Sequence, residues 1–213
     1  MDTYDWIQVG LVALFLGVLV IRSLMMLARD GRSPFTLGKG KQGAARVVET
    51  LMPILFLAWF VALFVSVTGE PEDLPGILGE VIVDADWAWA IGSAILVASV
   101  ALFVWSLASF GSSWRVGIDE KAPGALVSSG VFAYSRNPIF VSMDAFFLGT
   151  FLIQGTVFFL VGFIVCVALT HFQILQEEAF LSKEYGDDYR IYRGSTPRYF
   201  GWVRRAQQLQ EQT

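Results

Sequence analysis

Three groups of side chains in this sequence have types and spacings that could do chemistry. The first runs Leu126, Val127, Ser128, Ser129, Gly130, Val131, Phe132, Ala133, Tyr134, Ser135, Arg136, Asn137, Pro138, Ile139 and Phe140. Read locally, Asn137 is a suitable N-cap and Pro138 a suitable first helical residue, so the pair can simply open a helix. That account leaves Tyr134, Arg136 and the glycine-containing turn unexplained. A helix start flanked by arginine is also a ready site for a carboxylate or phosphate, because free backbone N–H groups and a guanidinium serve the same anion.

The second group is His171, Glu177 and Glu178, followed by Phe180, Leu181, Tyr185, Gly186, Tyr189, Tyr192, Pro197 and Arg198. At about 100° per residue, the step from His171 to Glu178 returns to nearly the same helix face, while Glu177 points about 100° away. His171 and Glu178 can therefore face one pocket. Two adjacent acids can also just mark where a helix meets water. Here they precede an aromatic stripe with Lys183 and Arg190 opposite, the pattern of a helix lying in a membrane interface, and acids beside such a helix could hold a cation. The third candidate is Asp144, six positions beyond Pro138 and so about 9 Å along a helix. An ionisable group at that depth is costly unless it faces a cavity, a partner or the headgroups.

The elements that must position these residues are apolar. The chain has 213 residues, 55% of them hydrophobic and 16% charged, with the hydrophobic ones gathered into long runs. Runs of about 20 apolar residues cross a bilayer as helices, and three are clear: roughly 7–27, 47–67 and 87–110. A fourth and fifth, about 138–153 and 157–176, are parted only by Gln154, Gly155 and Thr156, which predicts a tight helical hairpin. The leader Met1, Asp2, Thr3, Tyr4, Asp5 is acidic where a secretory signal is basic, so the first run is expected to stay in the membrane.

Lysine and arginine collect in cytoplasmic loops. Arg22, Arg29, Arg32, Lys39, Lys41 and Arg46 fall between segments one and two, and Arg115, Lys121 and Arg136 between three and four. Lys183, Arg190, Arg193, Arg198, Arg204 and Arg205 follow segment five, which accounts for all 15 basic residues. Asp2, Asp5, Glu70, Glu72, Asp73, Glu80, Asp84 and Asp86 lie on the other side. The expected fold is all-α: a polytopic protein of the inner (cytoplasmic) membrane with five transmembrane helices, N-terminus outside and C-terminus cytoplasmic. An interfacial helix follows the last span on the cytoplasmic side. Residues 1–110 would form the N-terminal membrane helices and 111–213 a C-terminal core with the cytoplasmic tail.

The composition also excludes. A net charge of −4 gives no support to nucleic-acid binding. The single cysteine, Cys166, forbids an intramolecular disulfide, and no Cys/His cluster has metal spacing. The Gly- and Lys-rich segment 31–45 lacks phosphate-loop spacing and reads as a basic loop on anionic headgroups.

Taken together, the two long stretches resemble the isoprenylcysteine carboxyl methyltransferase and phospholipid methyltransferase family of integral membrane enzymes. The family's first motif, approximately L-V-x-x-G-x-[YF]-x-x-x-R-[HN]-P-x-[YF], matches Leu126 to Phe140. The second, approximately E-E-x-x-[LF]-x-x-x-[FY]-G-x-x-Y-x-x-Y-x-x-x-[VT]-P-R, matches Glu177 to Arg198. Asn137 stands where the carboxyl methyltransferases usually carry histidine, and the Gly-x-Gly motif of the phosphatidylethanolamine enzymes has no counterpart. The resemblance implies S-adenosyl-L-methionine bound in a cytoplasm-facing pocket made by both motifs. Leu126, Val127, Gly130, Tyr134, Arg136, Asn137, Pro138, Phe140, Glu177, Glu178 and Tyr189 would hold the cofactor, and His171, Glu178 and Arg198 would serve catalysis.

It implies methyl transfer to a lipophilic small molecule or lipid-linked acceptor drawn from the membrane lipids, whose reacting group stays open among carboxylate, thiol and amine. Two rival readings exist. The sterol-reductase family shares a related C-terminal membrane core and would bind NADPH in this region. A non-catalytic scaffold would keep five helices but has no need of both motifs.

Overall fold

The computed structural model describes residues 3–30, 43–69, 74–110 and 124–201. Most of the basic segment 31–45 lies outside the described residues, as do Arg115, Lys121, Arg204 and Arg205. Among the described residues there are five α-helices: α1 (Thr3–Asp30), α2 (Gly43–Thr68), α3 (Asp86–Phe110), α4 (Pro138–Gln154) and α5 (Val157–Ser195). Two 3₁₀ turns, Gly76–Gly79 and Gly130–Ala133, precede α3 and α4. Four helices are long and apolar enough to cross a membrane: α1, α2, α3 and α5. With 17 residues, α4 is shorter, about 25 Å at 1.5 Å per residue against a hydrocarbon core of about 30 Å.

Despite its length, α4 is the hub. Phe15 of α1 stacks on Phe103 of α3 at 4.2 Å and leans on Phe146 of α4 at 4.7 Å. On the other side, Trp59 of α2 packs against Phe147 of α4 at 4.5 Å and edge-on to Phe159 of α5 at 5.8 Å. The backbones of α3 and α4 come together at Gly92 and Gly149, where a Cβ on Gly92 would lie 2.8 Å from the Gly149 carbonyl oxygen. In lipid, where apolar surface gains little by leaving the solvent, such close approach of small residues is what holds helices together. Large apolar side chains such as Leu57, Phe64 and Ile164 face outward, as lipid solvent allows.

Gln154 ends α4, and Gly155 and Thr156 connect it to α5. Gly155 has φ 65 and ψ 5, and its N–H bonds the Phe151 carbonyl at 2.7 Å. The segment before α3 lies against this turn: Ile82 and Val83 N–H groups donate to the Gly155 carbonyl, and the Val157 N–H to that of Glu80. A buried polar group sits beside it, with Gln154 donating to Gln8 of α1 at 2.6 Å and accepting from the Ser66 hydroxyl of α2.

The sequence expected a helix to about Gln176 and then a separate interfacial helix. Instead α5 continues without interruption to Gly186, where φ 51 and ψ −118 break it before the last turns to Ser195. The reason is local: Glu177, Glu178, Ala179, Leu181, Lys183 and Glu184 are all good helix formers, and nothing breaks the run before the glycine.

Candidate functional site

Both motifs meet where α4 begins and α5 passes by. Leu126 and Val127 are half-buried in the segment leading in, and Gly130 opens the 3₁₀ turn with its Cα backed onto Ser109 of α3, close enough that a Cβ would lie 2.5 Å from its hydroxyl. Val131 and Phe132 of that turn are buried, and Phe132 packs edge-on to Phe110 at 5.1 Å. The chain beyond α5 then returns along the turn. Arg136 N–H donates to the Pro197 carbonyl at 3.0 Å, Asn137 Nδ2 to that of Arg198 at 3.0 Å, and Gly201 N–H to that of Tyr134 at 3.2 Å. From within α5, the Tyr192 hydroxyl donates to the Phe132 carbonyl at 2.7 Å.

Glu178 is the centre of the arrangement. Its carboxylate accepts from Arg136 Nη2 at 3.0 Å, from Arg198 Nη2 at 2.9 Å, from Arg198 Nε at 3.2 Å and from Asn137 Nδ2 at 3.3 Å. The Glu178 and Arg136 side chains are each only 7% exposed, and that of Arg198 is 32%. A buried carboxylate between two guanidinium groups satisfies the requirement that buried charges be paired. The Glu178 hydrogen bonds hold the Arg198 guanidinium above its already high ordinary pKa.

The cluster keeps donors in reserve. Among the described residues Arg136 Nε and Nη1 are buried with no hydrogen-bond partner, as is the hydroxyl of Tyr189, whose side chain is fully buried. Natural proteins seldom leave such groups orphaned, and ordered water or a bound group would satisfy them.

The local reading of Asn137 as a side-chain cap is corrected. Asn137 occupies the N-cap position but makes no side-chain cap bond; its amide turns instead to Glu178 and the Arg198 carbonyl. Ser135, which the sequence did not single out, is buried, accepts from the Asn137 N–H at 3.1 Å and donates to the Arg198 carbonyl at 3.5 Å. Pro138 is buried in the first turn of α4, and Phe140 is half-buried.

Glu177 is half-buried and Tyr134 exposed, its ring 6.3 Å from that of Trp105. His171, one face with Glu178, is exposed and bonds through Nδ1 to the hydroxyl of Tyr199, the neighbour of Arg198. Tyr199 was missed, and its place directly after the Pro-Arg pair was the available signal. Asp144 does find partners: the Thr170 hydroxyl donates to it at 2.7 Å, with the Cys166 thiol at 3.8 Å.

Fold and cluster together define a helical membrane protein with a buried Arg–Glu–Arg site at one end of its bundle. Residues 87–188 match the family model for phospholipid methyltransferases, in agreement with the family resemblance of the two motifs. The matched stretch takes in α3 as well as Arg136, Asn137, Pro138, Glu177 and Glu178, and ends before Tyr189 and Arg198. No curated protein matches the chain.

Proposed function

We propose that the protein is an integral membrane methyltransferase that uses S-adenosyl-L-methionine and modifies a lipophilic or lipid-linked acceptor. The observation that carries this is the orphaned pair of Arg136 donors beside the start of α4. The amino-acid end of the cofactor brings a carboxylate, which a charged guanidinium N–H such as that of Nη1 binds well. Glu177, at the half-buried edge, suits the cofactor's ammonium, and Tyr189 has a hydroxyl to spare. Leu126, Val127, Gly130, Tyr134, Asn137, Pro138 and Phe140 would frame the same pocket.

The bound cofactor supplies an activated sulfonium methyl, so the protein has to align an acceptor and exclude water. Glu178 serves by holding Arg136 and Arg198 in place, its lone pairs already engaged. Arg198 ties the returning chain over the pocket. A carboxylate or thiolate acceptor needs no base, whereas an amine must shed a proton, for which His171 and Tyr199 offer an exposed route.

In this reading the site faces the cytoplasm at the inner membrane, and α4 completes a fifth crossing with the bilayer thinned about it. Residues 111–213 carry the chemistry while 1–110 supply the membrane helices, with α3 braced on α4. The test is calorimetric titration of an Arg136→Lys variant with S-adenosylmethionine. Charge-assisted hydrogen bonds contribute about 1.5–3 kcal/mol, so affinity should fall about tenfold to a hundredfold. Unchanged affinity in a folded variant, or saturable NADPH binding to the wild type in its place, would overturn the proposal.

A further inference from the structure

Beyond α5, residues 196–201 turn back toward the bundle, and their contacts give the depth they reach. Counted from Val157 at about 1.5 Å per residue, His171 lies about 21 Å along α5 and Glu178 about 32 Å. With a hydrocarbon core of about 30 Å, Glu178 falls at its boundary and His171 inside it. The Tyr199 hydroxyl bonds His171 and the two rings stack at 6.3 Å, so the chain has re-entered the membrane level by Tyr199. His171 also stands on the outward stripe of α5 formed by Ile164, Val167 and Leu175, which are exposed on the flank of the bundle and so face lipid.

The far end of the returning segment meets a second lipid-facing surface. Gly201 N–H donates to the Tyr134 carbonyl, and the Tyr134 ring lies 6.3 Å from that of Trp105, exposed on α3 beside Ala101 and Val104. Trp105 is about 28 Å along α3 from Asp86, the level at which tryptophan and tyrosine collect in membrane interfaces. Between these two edges Tyr199 and Phe200 are 41% and 50% exposed. The same segment holds the ion cluster: its Pro197 carbonyl accepts from Arg136 N–H, its Arg198 carbonyl from Asn137 and Ser135, and its Arg198 guanidinium pairs with Glu178.

We propose that residues 197–201 form a membrane-anchored strap: Tyr199 and Phe200 insert into the headgroup–acyl boundary of the leaflet beside the ion cluster, and this contact holds Arg136, Asn137 and Arg198 in their cofactor-binding arrangement. The partner is the lipid surface itself. Its recognised feature is the apolar boundary and not headgroup charge, because the inserted side chains are neutral rings while Arg198 turns inward to Glu178. Lipid contact stabilises the closed strap, and the apparent affinity for cofactor follows the fraction of molecules in that form. The coupling to cofactor rests on the methyltransferase reading; the anchoring does not.

The probe is a nitroxide attached to Phe200→Cys in a Cys166→Ser background, with the full-length protein in nanodiscs of mixed phosphatidylcholine and phosphatidylglycerol. Ile164→Cys on the lipid face of α5 and Arg190→Cys, whose native side chain is 78% exposed, serve as references for membrane and water. The label at Phe200→Cys is expected to collide with oxygen as at Ile164→Cys, and to be shielded from a water-soluble nickel chelate that reaches Arg190→Cys. Phe200→Asp should lower S-adenosylmethionine affinity by calorimetry about fivefold, and Phe200→Trp should keep it within about twofold. Chelate access at Phe200→Cys equal to that at Arg190→Cys would overturn the anchor and leave the methyltransferase reading standing. A shielded label with unchanged affinity in Phe200→Asp would overturn the coupling to the site. A shielded label on a protein that binds no S-adenosylmethionine would overturn the methyltransferase reading alone.

Discussion

Removing Glu178 would leave Arg136 charged and buried at 7% exposure with no carboxylate against it, whereas removing Glu177 alters only a half-buried edge. Loss of one partner of a buried pair costs about 3–5 kcal/mol, and less here because Arg198 is partly exposed and can turn to solvent. Glu178→Ala is therefore expected to lower the melting temperature in detergent and to weaken S-adenosylmethionine binding at least tenfold. Glu177→Ala should leave melting within a degree or two; a larger loss there than at Glu178 would reverse the assignment. That Glu178 joins the ion cluster agrees with the helical periodicity that put it on the His171 face. Arg136, Asn137 and Arg198 were legible through motif spacing. Ser135 was not, because it gains its place from the returning chain, distant in sequence, and Tyr199 was missed although it directly follows the Pro-Arg pair.

At the scale of elements, the same reasoning separates two glycines. A Cβ on Gly155 would sit 1.8 Å from the Val83 carbonyl oxygen, so Gly155→Ala must displace the segment that lies against the α4–α5 turn as well as strain the turn. At Gly186 a Cβ meets nothing, and the cost is only that of a conformation alanine dislikes, about 1–2 kcal/mol. Gly155→Ala is expected to lower the melting temperature by several degrees or abolish folding. Gly186→Ala should leave the membrane part intact but straighten α5, withdrawing Tyr189 and Tyr192 from the turn before α4, and this should show as faster proteolysis after Ser195 and weaker cofactor binding. Equal melting of the two variants would refute the contrast. The ends of α3 and α4 followed from hydrophobic length and from the Asn-Pro and Gly signals. The run of α5 past Gln176 did not, because hydropathy marks where a helix leaves lipid and says nothing about where it stops.

For the whole molecule the question is which end faces which compartment. In the topology expected from the sequence all 15 Lys and Arg fall on one side, which the positive-inside tendency would make the cytoplasmic side. The Glu178 cluster and the last turns of α5 share it, and the α4–α5 turn with the 3₁₀ turn at Gly76–Gly79 shares the opposite one. The chain's lone cysteine, Cys166, is buried, so engineered thiols report with little background. Ile77, 71% exposed beside the α4–α5 turn, and Arg190, whose side chain is 78% exposed and bridged to Asp187, are suitable positions. Surface ion pairs of that kind contribute little, so Arg190→Cys should fold normally. In intact spheroplasts a membrane-impermeant maleimide is expected to label Ile77→Cys at once and Arg190→Cys only after permeabilisation. The reverse pattern would put the ion cluster outside, where a cofactor made in the cytosol could not reach it, and would refute the orientation and the methyltransferase reading together.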